Sequence, residues 1–161
     1  MYKPQNLRSY LLQASSELAR DPDKLHLFVD EGRVVATATP GLSFEYHYVL
    51  NLIVTDIGLD LDLIFVPLLA WMRVHQRDAF ALPAASQRGI RFEVDMTSAT
   101  TLDLSIRLAL TERTLVHRRD GGHLEVTHAA EPQLKPPFED ARWQLHKEGQ
   151  VLAEWSVPAL P

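Results

Sequence analysis

The fold is predicted from residues 43–77, which read SFEYHYVLNLIVTDIGLDLDLIFVPLLAWMRVHQR. From residue 44 to residue 54, every even position is apolar or aromatic. Alternate side chains of a strand point to opposite faces, so these positions line one face of a long inner strand. The odd positions mix polar and branched apolar residues, which predicts partial burial of the other face. The aromatic members, expected to be core anchors, are Phe44, Tyr46 and Tyr48.

A helix is predicted directly after this strand. The alternation breaks at Asp56, a glycine supplies a turn, and from residue 63 the apolar residues recur at helical spacing. Asp60 or Asp62 is expected to cap the helix by accepting its unpaired backbone N–H groups. Leu68 and Trp71 lie on the apolar face and are expected to anchor it in the core. A helix of this pattern needs a sheet to cover, and the preceding strand provides one.

The residues before this strand and helix show less regular spacing of apolar side chains. Residues 5–20 are amphipathic and predict one helix, which Asp21-Pro22 ends. Residues 25–39 contain two β-rich runs divided by Asp30-Glu31-Gly32. An acidic pair ahead of a glycine favours a hairpin turn at that point.

A hairpin is predicted within residues 89–111. Both of its arms alternate strictly between apolar and polar residues, which indicates an antiparallel pair with one core face and one solvated face. A register with Glu93 opposite Arg107 would avoid like charges across the pair.

A second hairpin with a polar tip follows at residues 113–129. Such an arm adds little to the core of its own domain, so its length is best explained by contact with another chain. The glycines at its tip allow the positive φ angles of a tight turn. The interface candidates are Arg113, His117, Arg118, Arg119, Asp120, Gly121 and Gly122.

The predicted fold class is α+β, with two helices packed on one face of a mostly antiparallel sheet. Residues 1–129 are expected to form the main part of a single domain. Residues 130–161 are expected to be a proline-rich linker and a C-terminal hairpin extension of that domain. This hairpin turns at Glu148-Gly149, with Trp143 and Trp155 as anchors.

The composition is that of an ordinary globular protein and excludes several functions. The chain has 161 residues, of which 46% are apolar and 23% charged. It contains no cysteine, so thiol nucleophiles, zinc–thiolate sites and disulfides are excluded. The net charge of −5 argues against tightly held nucleic acid. No apolar run reaches the length of a membrane span, and the N-terminus lacks the apolar core of a signal peptide.

Residues that often carry catalysis are present, but they do not form a known motif. His117, His123 and His128 of the second hairpin could ligate a metal, but they are interpreted as a solvated strand face. Glu45 and His47 share a face of the central strand, as an acid–base pair might, but they are interpreted as a polar edge beside the sheet. Asp56, Asp60 and Asp62 follow a strand end, where magnesium sites are often built, but helix-terminal acids are the simpler interpretation. No cofactor or metal is expected, and the chain is predicted not to be an enzyme.

Several segments together resemble a known family. In order along the chain they are FVDEGRVVATATPGLSFEYHYVLNLIVTD, VPLLAWMRVHQ, RGIRFEVD and DLSIRLALTERT. Their order and spacing, strongest over residues 25–114, resemble the tail completion protein R family (GpR) of contractile-tailed phages of the peduovirus type and their prophages.

The resemblance implies a structural virion protein that completes the head-proximal end of the tail and prepares it for head joining. By analogy with tail terminators, it implies an α+β domain that closes into a six-fold ring on the last ring of the tail tube. The implied partners are further copies of the chain, the tail tube and sheath, and the connector proteins of the neck. DNA would pass through the acidic lumen without being tightly bound, and the protein would be made in the bacterial cytoplasm.

Two other classes of function remain open from the sequence. One is an adaptor in the neck between head and tail, or the matching component of a phage-tail-like bacteriocin. The other is a metal-dependent hydrolase that uses Asp56, Asp60 and Asp62.

Overall fold

The computed structural model describes residues 1–36, 41–81, 89–132, 138 and 141–158. Four α-helices are present in these residues: α1 (Lys3–Ala14), α2 (Ser16–Arg20), α3 (Asp62–His75) and α4 (Asp78–Ala81). The strands are β1 (Leu25–Ala36), β2 (Phe44–Gly58), β3 (Arg91–Met96), β4 (Thr101–Arg118), β5 (Leu124–His128), β6 (Arg142–Lys147) and β7 (Gln150–Ser156). None of the described helices is long and apolar enough to cross a membrane.

The strands form one large antiparallel sheet and one separate hairpin. The large sheet has the order β1-β2-β4-β3, and β5 pairs with the last residues of β4. Thr114 pairs with Phe44 of β2 on one side and with His128 of β5 on the other. Strands β3 and β5 therefore lie on the same edge of β4, at opposite ends. Strands β6 and β7 form the two-stranded sheet.

The core lies between the helices and one face of the large sheet, called here the inner face. On β2 the inner residues Tyr48, Leu50, Leu52 and Val54 are at most 4% exposed. Every even residue of β4 from position 102 to position 114 is buried as well. The alternation of period two thus gives one covered face, as the sequence predicts. The predicted α+β class is confirmed.

Helix α3 carries the largest fully buried side chain, Trp71, which is 0% exposed. Its indole Nε1 donates a hydrogen bond of 2.6 Å to Asn6 Oδ1 of α1, and its ring stacks on His75 at 4.7 Å. Leu68 is also fully buried. Phe44 and Tyr46, at the start of β2, are half-buried and meet edge to face, with ring centroids 4.9 Å apart.

Two elements differ from their predicted form. The prediction of a hairpin turn at Asp30-Glu31-Gly32 is wrong, because β1 continues through this point and pairs with β2 on both sides of it. A bulge between Asp30 and Arg33 absorbs the extra residues, with Glu31 at φ 51°. The prediction of a single helix over residues 5–20 is also wrong, because two helices, α1 and α2, are present there. Ser15 is extended and its side chain caps α2 by accepting a bond from Leu18 N, so the helix breaks there.

The hairpin of β3 and β4 is present, but the register that avoids like charges is wrong. Arg91 lies opposite Arg107, and Asp95 lies opposite Asp103. The positive charge of Arg107 is instead balanced by Glu31 of β1, which lies across β2 and forms an ion pair of 2.7 Å with it. This register places the apolar residues of both strands on the inner face. As a consequence, like charges lie opposite each other on the outer face.

Candidate functional site

The most prominent surface feature is an arm formed by residues 113–128, the end of β4 together with β5. Strand β2 begins opposite Thr114, so β4 runs beyond it and pairs only with β5. The Val116 backbone N–H, which points to the β2 side, is bound at 3.0 Å by the Ser43 hydroxyl. All residues of β5 are exposed. The arm therefore projects from the domain as a two-stranded ribbon.

The tip of the arm is closed by a short 3₁₀ turn over Asp120–Gly122. Arg119 N donates to His123 O at 2.8 Å, which completes the turn. Gly121 and Gly122 have φ angles of 73° and 80°. Glycine adopts this left-handed backbone without the steric cost that a side chain brings, so it is favoured at the tip.

The charged residues of the arm fall into two groups. Arg119 forms an ion pair with Glu125 of the arm itself, and Arg113 lies 3.8 Å from Glu45 of β2. Arg118 has no ion pair within the described part of the chain, and His117 and Arg118 are both exposed. Among the predicted interface cations, Arg118 is therefore the one most available to another chain.

The arm also exposes apolar side chains that the sequence analysis did not select. Val126 lies opposite Val116, and Leu124 lies opposite Arg118. Leu124 and Val126 are 54% and 58% exposed. They lie on the inner face, which the helices cover elsewhere in the sheet but not here. The signal was present in the alternation of residues 123–129, which places apolar side chains on one face of a strand that no helix covers.

The base of the arm is held by a buried carboxylate. Glu112 is 4% exposed and accepts hydrogen bonds from the Tyr48 hydroxyl and, at 2.6 Å, from the Tyr2 backbone N–H. Burial and the contact with Glu112 raise the pKa of Tyr48 above its usual range, so this hydroxyl stays protonated and donates. His128 of β5 lies 4.0 Å from the same carboxylate. Glu112 thus ties the N-terminus, β2 and the arm together.

A second buried polar group, the side chain of Lys3, follows Tyr2, which contacts Glu112. Lys3 is 5% exposed, and its Nζ donates at 2.9 Å to both Gln76 Oε1 and Glu131 Oε1. Gln76 also accepts from Thr111 N at 3.1 Å and so satisfies a backbone group of β4 between β3 and β5. His75 is 2% exposed, and burial followed by repulsion from Lys3 lowers its pKa to about 4. These contacts stabilise the fold, and they leave His75 neutral at physiological pH.

The acidic triplet does not cap α3. The residue before the helix is Leu61, and no side chain bonds the free N–H groups. Asp60 and Asp62 instead contact Lys147 of the C-terminal hairpin at 2.9 Å and 3.6 Å, and Asp56 lies 3.7 Å from Lys24. The predicted capping role is wrong, because the C-terminal hairpin brings a cation to these carboxylates.

The possible metal ligands do not converge in the described part of the chain, whereas the possible acid–base pair, Glu45 and His47, is in contact. His117 and His128 are on opposite faces of the arm, as their pairing positions require. His47 Nε2 lies 2.9 Å from Glu45 Oε1 on the outer face. No group of three or more possible metal ligands is present in the described residues.

The C-terminal hairpin packs against the helical layer. Trp155 is 4% exposed and donates through Nε1 to the Tyr10 hydroxyl at 2.8 Å. Burial raises the pKa of Tyr10 to about 12. Trp143 meets Trp155 edge to face. Glu148 and Gly149 form the tight turn, both with positive φ.

Comparison with known proteins identifies the family. The sequence model described as "P2 phage tail completion protein R (GpR)" matches residues 1–132. The chain belongs to the P2 tail completion protein R family. The GpR match takes in every element from α1 to β5, including the whole arm. The resemblance predicted from the sequence is confirmed.

A curated relative from the GpR family is similar to this chain over a longer range than the family model covers. "Tail completion protein R" of Escherichia phage P2 is 41% identical over 156 residues, which cover 96% of this chain and 99% of the relative. Because this range is longer than the GpR family match, the likeness extends into the C-terminal hairpin. No solved structure matches the chain. As a GpR protein, the chain has a structural role in phage tail assembly.

Proposed function

We propose that this protein completes the head-proximal end of a contractile phage tail and prepares it to join a filled head. The observation that carries the proposal is membership of the GpR family over residues 1–132. The protein would be made in the cytoplasm of the host bacterium and then become part of the virion tail. No catalytic step or cofactor is needed for this role.

We further propose that the protein acts as a six-fold ring on the last ring of the tail tube. A closed ring needs two different complementary surfaces on each subunit. The arm is suited to be one of them, because it projects beyond β2 and exposes Leu124, Val126 and Arg118. Its partner would be the neighbouring subunit, with the tail tube, the sheath and the neck connector as the other contacts of the ring.

The overall charge fits the passage of DNA through such a ring. Each subunit carries a net charge of −5. A lumen of that sign repels the phosphate backbone, so DNA slides through instead of being retained.

The test is complementation of a phage or prophage from which the gene has been deleted. Wild-type protein is expected to restore tails of normal length that join heads, scored in negative stain. Tails made without the protein are expected to be both irregular in length and headless. If such tails are normal in length and lack only the link to the head, the protein is a neck adaptor and the proposal is wrong.

A further inference from the structure

Strand β1 forms an uncovered margin of the large sheet. It pairs with β2 on one side, and no described strand lies on its other side. Every residue from position 28 to position 36 is exposed, including Val29 at 41% and Val34 at 61%. A long edge strand with exposed apolar side chains is a template for another strand, and natural proteins usually cover such an edge.

The backbone of β1 at Val34 faces this open side. Val34 lies opposite Tyr46 of β2, which in turn pairs with Glu112 of β4. Even-numbered residues of β4 direct their backbone groups to β2, as the bond from the Val116 N–H shows. Tyr46 therefore directs its own groups to β4. Since these groups alternate in direction along an antiparallel pair, those of Val34 are left for an added strand.

The free edge of the arm presents its backbone in the same way. Arg119 N donates to His123 O at the tip, so the odd-numbered residues of β5 direct their groups to β4. The even-numbered residues Leu124 and Val126 therefore direct theirs outward. Their side chains are exposed on the inner face, which is also the face of Val34. The two edges thus match in backbone direction and in the face that carries the apolar side chains.

The strand directions determine how two copies would be related by a contact between these edges. Strands β1 and β4 run the same way, because each is antiparallel to β2, and β5 runs against both. If β5 of one copy pairs antiparallel with β1 of the next and the inner faces are aligned, both copies have the same orientation. Because β5 and β1 lie on opposite margins of the sheet, the second copy offers its own arm to a third. Such a contact repeats head to tail and can close a ring.

The charges of the outer face select one register for this pair. With Val126 opposite Val34 of the next copy, Arg33 of that copy lies diagonal to Glu125 of the arm. Arg33 is exposed and has no ion pair within the described part of the chain. The register with Val126 opposite Val29 would instead set Glu125 against Asp30, and like charges directly opposite each other destabilise a sheet.

We propose that the arm of each copy adds to the free edge of β1 of the neighbouring copy, with Val126 opposite Val34 and Leu124 opposite Ala36. Backbone hydrogen bonds and the buried apolar side chains hold the two copies together, and the pair of Arg33 and Glu125 sets the register. The sheets of all copies become continuous, with their helices on the same side. This inference rests on the proposed ring and names the two surfaces that close it.

The absence of cysteine from the sequence allows a clean cross-linking test. A variant with both Val126→Cys and Val34→Cys is used to complement the deleted phage, and purified particles are treated with a short bis-maleimide. A ladder from dimer up to hexamer is expected on a denaturing gel, since the Cβ atoms of directly opposed residues are about 5 Å apart. Within one chain the two positions are three strand spacings apart, at least about 14 Å, so a short reagent does not join them internally.

The controls separate this contact from other arrangements. Each single-cysteine variant is expected to remain monomeric, and a dimer from Val126→Cys alone would mean that two arms pair with each other. In the matched variant Val126→Cys is combined with Met96→Cys, since Met96 lies on the other free edge strand, β3, and is 64% exposed against 61% for Val34. No ladder is expected from this variant. Completed tails with six-fold rings but no Val126–Val34 ladder would overturn the docking site and leave the proposed function standing.

A charge reversal tests the register. Arg33→Glu is expected to leave the melting temperature of the isolated protein unchanged, because the side chain is exposed and has no ion pair in the described residues. In complementation it is expected to give at least about tenfold fewer infectious particles, because it sets like charges together at every contact of the ring. Arg91→Glu, at an exposed arginine of the other edge strand, is the control and is expected to give a normal titre. A normal titre with Arg33→Glu would contradict the proposed pairing.

Discussion

Truncation of Trp71 tests the layer arrangement on which the rest of the structure depends. The side chain is 0% exposed, stacks on His75 and donates a hydrogen bond of 2.6 Å to Asn6 Oδ1. Trp71→Ala removes the ring from the interface between α1, α3 and the sheet and leaves the Asn6 carbonyl without its donor. Loss of a large buried aromatic side chain costs about 3–5 kcal/mol.

That cost is large for a domain whose total stability is about 5–15 kcal/mol. At roughly 2–4 °C per kcal/mol for a chain of this size, the melting temperature should fall by about 6–20 °C. The assay is thermal unfolding followed by circular dichroism. Trp71→Phe is the matched control: it keeps an aromatic ring and loses the hydrogen bond, so a smaller decrease is expected. A Trp71→Ala protein that melts within a degree or two of the parent would refute the placement of α3 against the sheet.

Three further predictions concern the arm, the acids and pH. Val126→Asp is expected to leave the melting temperature unchanged and to abolish tail completion in complementation, whereas the equally exposed Val151→Asp should complement normally. Asp62→Asn, and addition of magnesium or EDTA, are expected to leave the melting temperature unchanged; a rise of several degrees with magnesium would support the hydrolase alternative. His75 has a folded pKa of about 4, below its unfolded value of 6.5. The unfolded chain therefore binds the extra proton, and stability should fall by up to about 3 kcal/mol as the pH drops from 6.5 to 4. A His75→Gln variant should show a flatter profile in urea titrations at these pH values, and an unchanged slope would contradict neutral burial.

The sequence predicts the sheet well because its evidence is local. The even positions of β2 and β4 point to one face by backbone geometry alone, and burial of that face needs no other information. The turns at Asp120–Gly122 and Glu148-Gly149 are equally local, since glycine permits their positive φ angles. The break at Ser15 was missed because residues on both sides keep the helical pattern, and only the cap reveals the interruption.

The polar contacts at the base of the arm and at the C-terminal hairpin could not be predicted, since their partners are distant in sequence. Glu112 meets a tyrosine hydroxyl 64 residues away, and Lys147 reaches Asp60 over 87 residues. No periodic pattern records such pairs. The register of β3 was predicted wrongly for a different reason. Burial of the apolar side chains on the inner face sets the register, and the charge of Asp95 on the outer face does not.

The most direct test of the proposed function is cryo-electron microscopy of tails made with and without this protein. With the protein, we expect a six-fold ring of density at the head-proximal end, into which the domain fits with its arm on a neighbouring subunit. Without it, the last tube ring should be bare and head joining should fail. Completed tails that carry no six-fold density at that end would contradict the account.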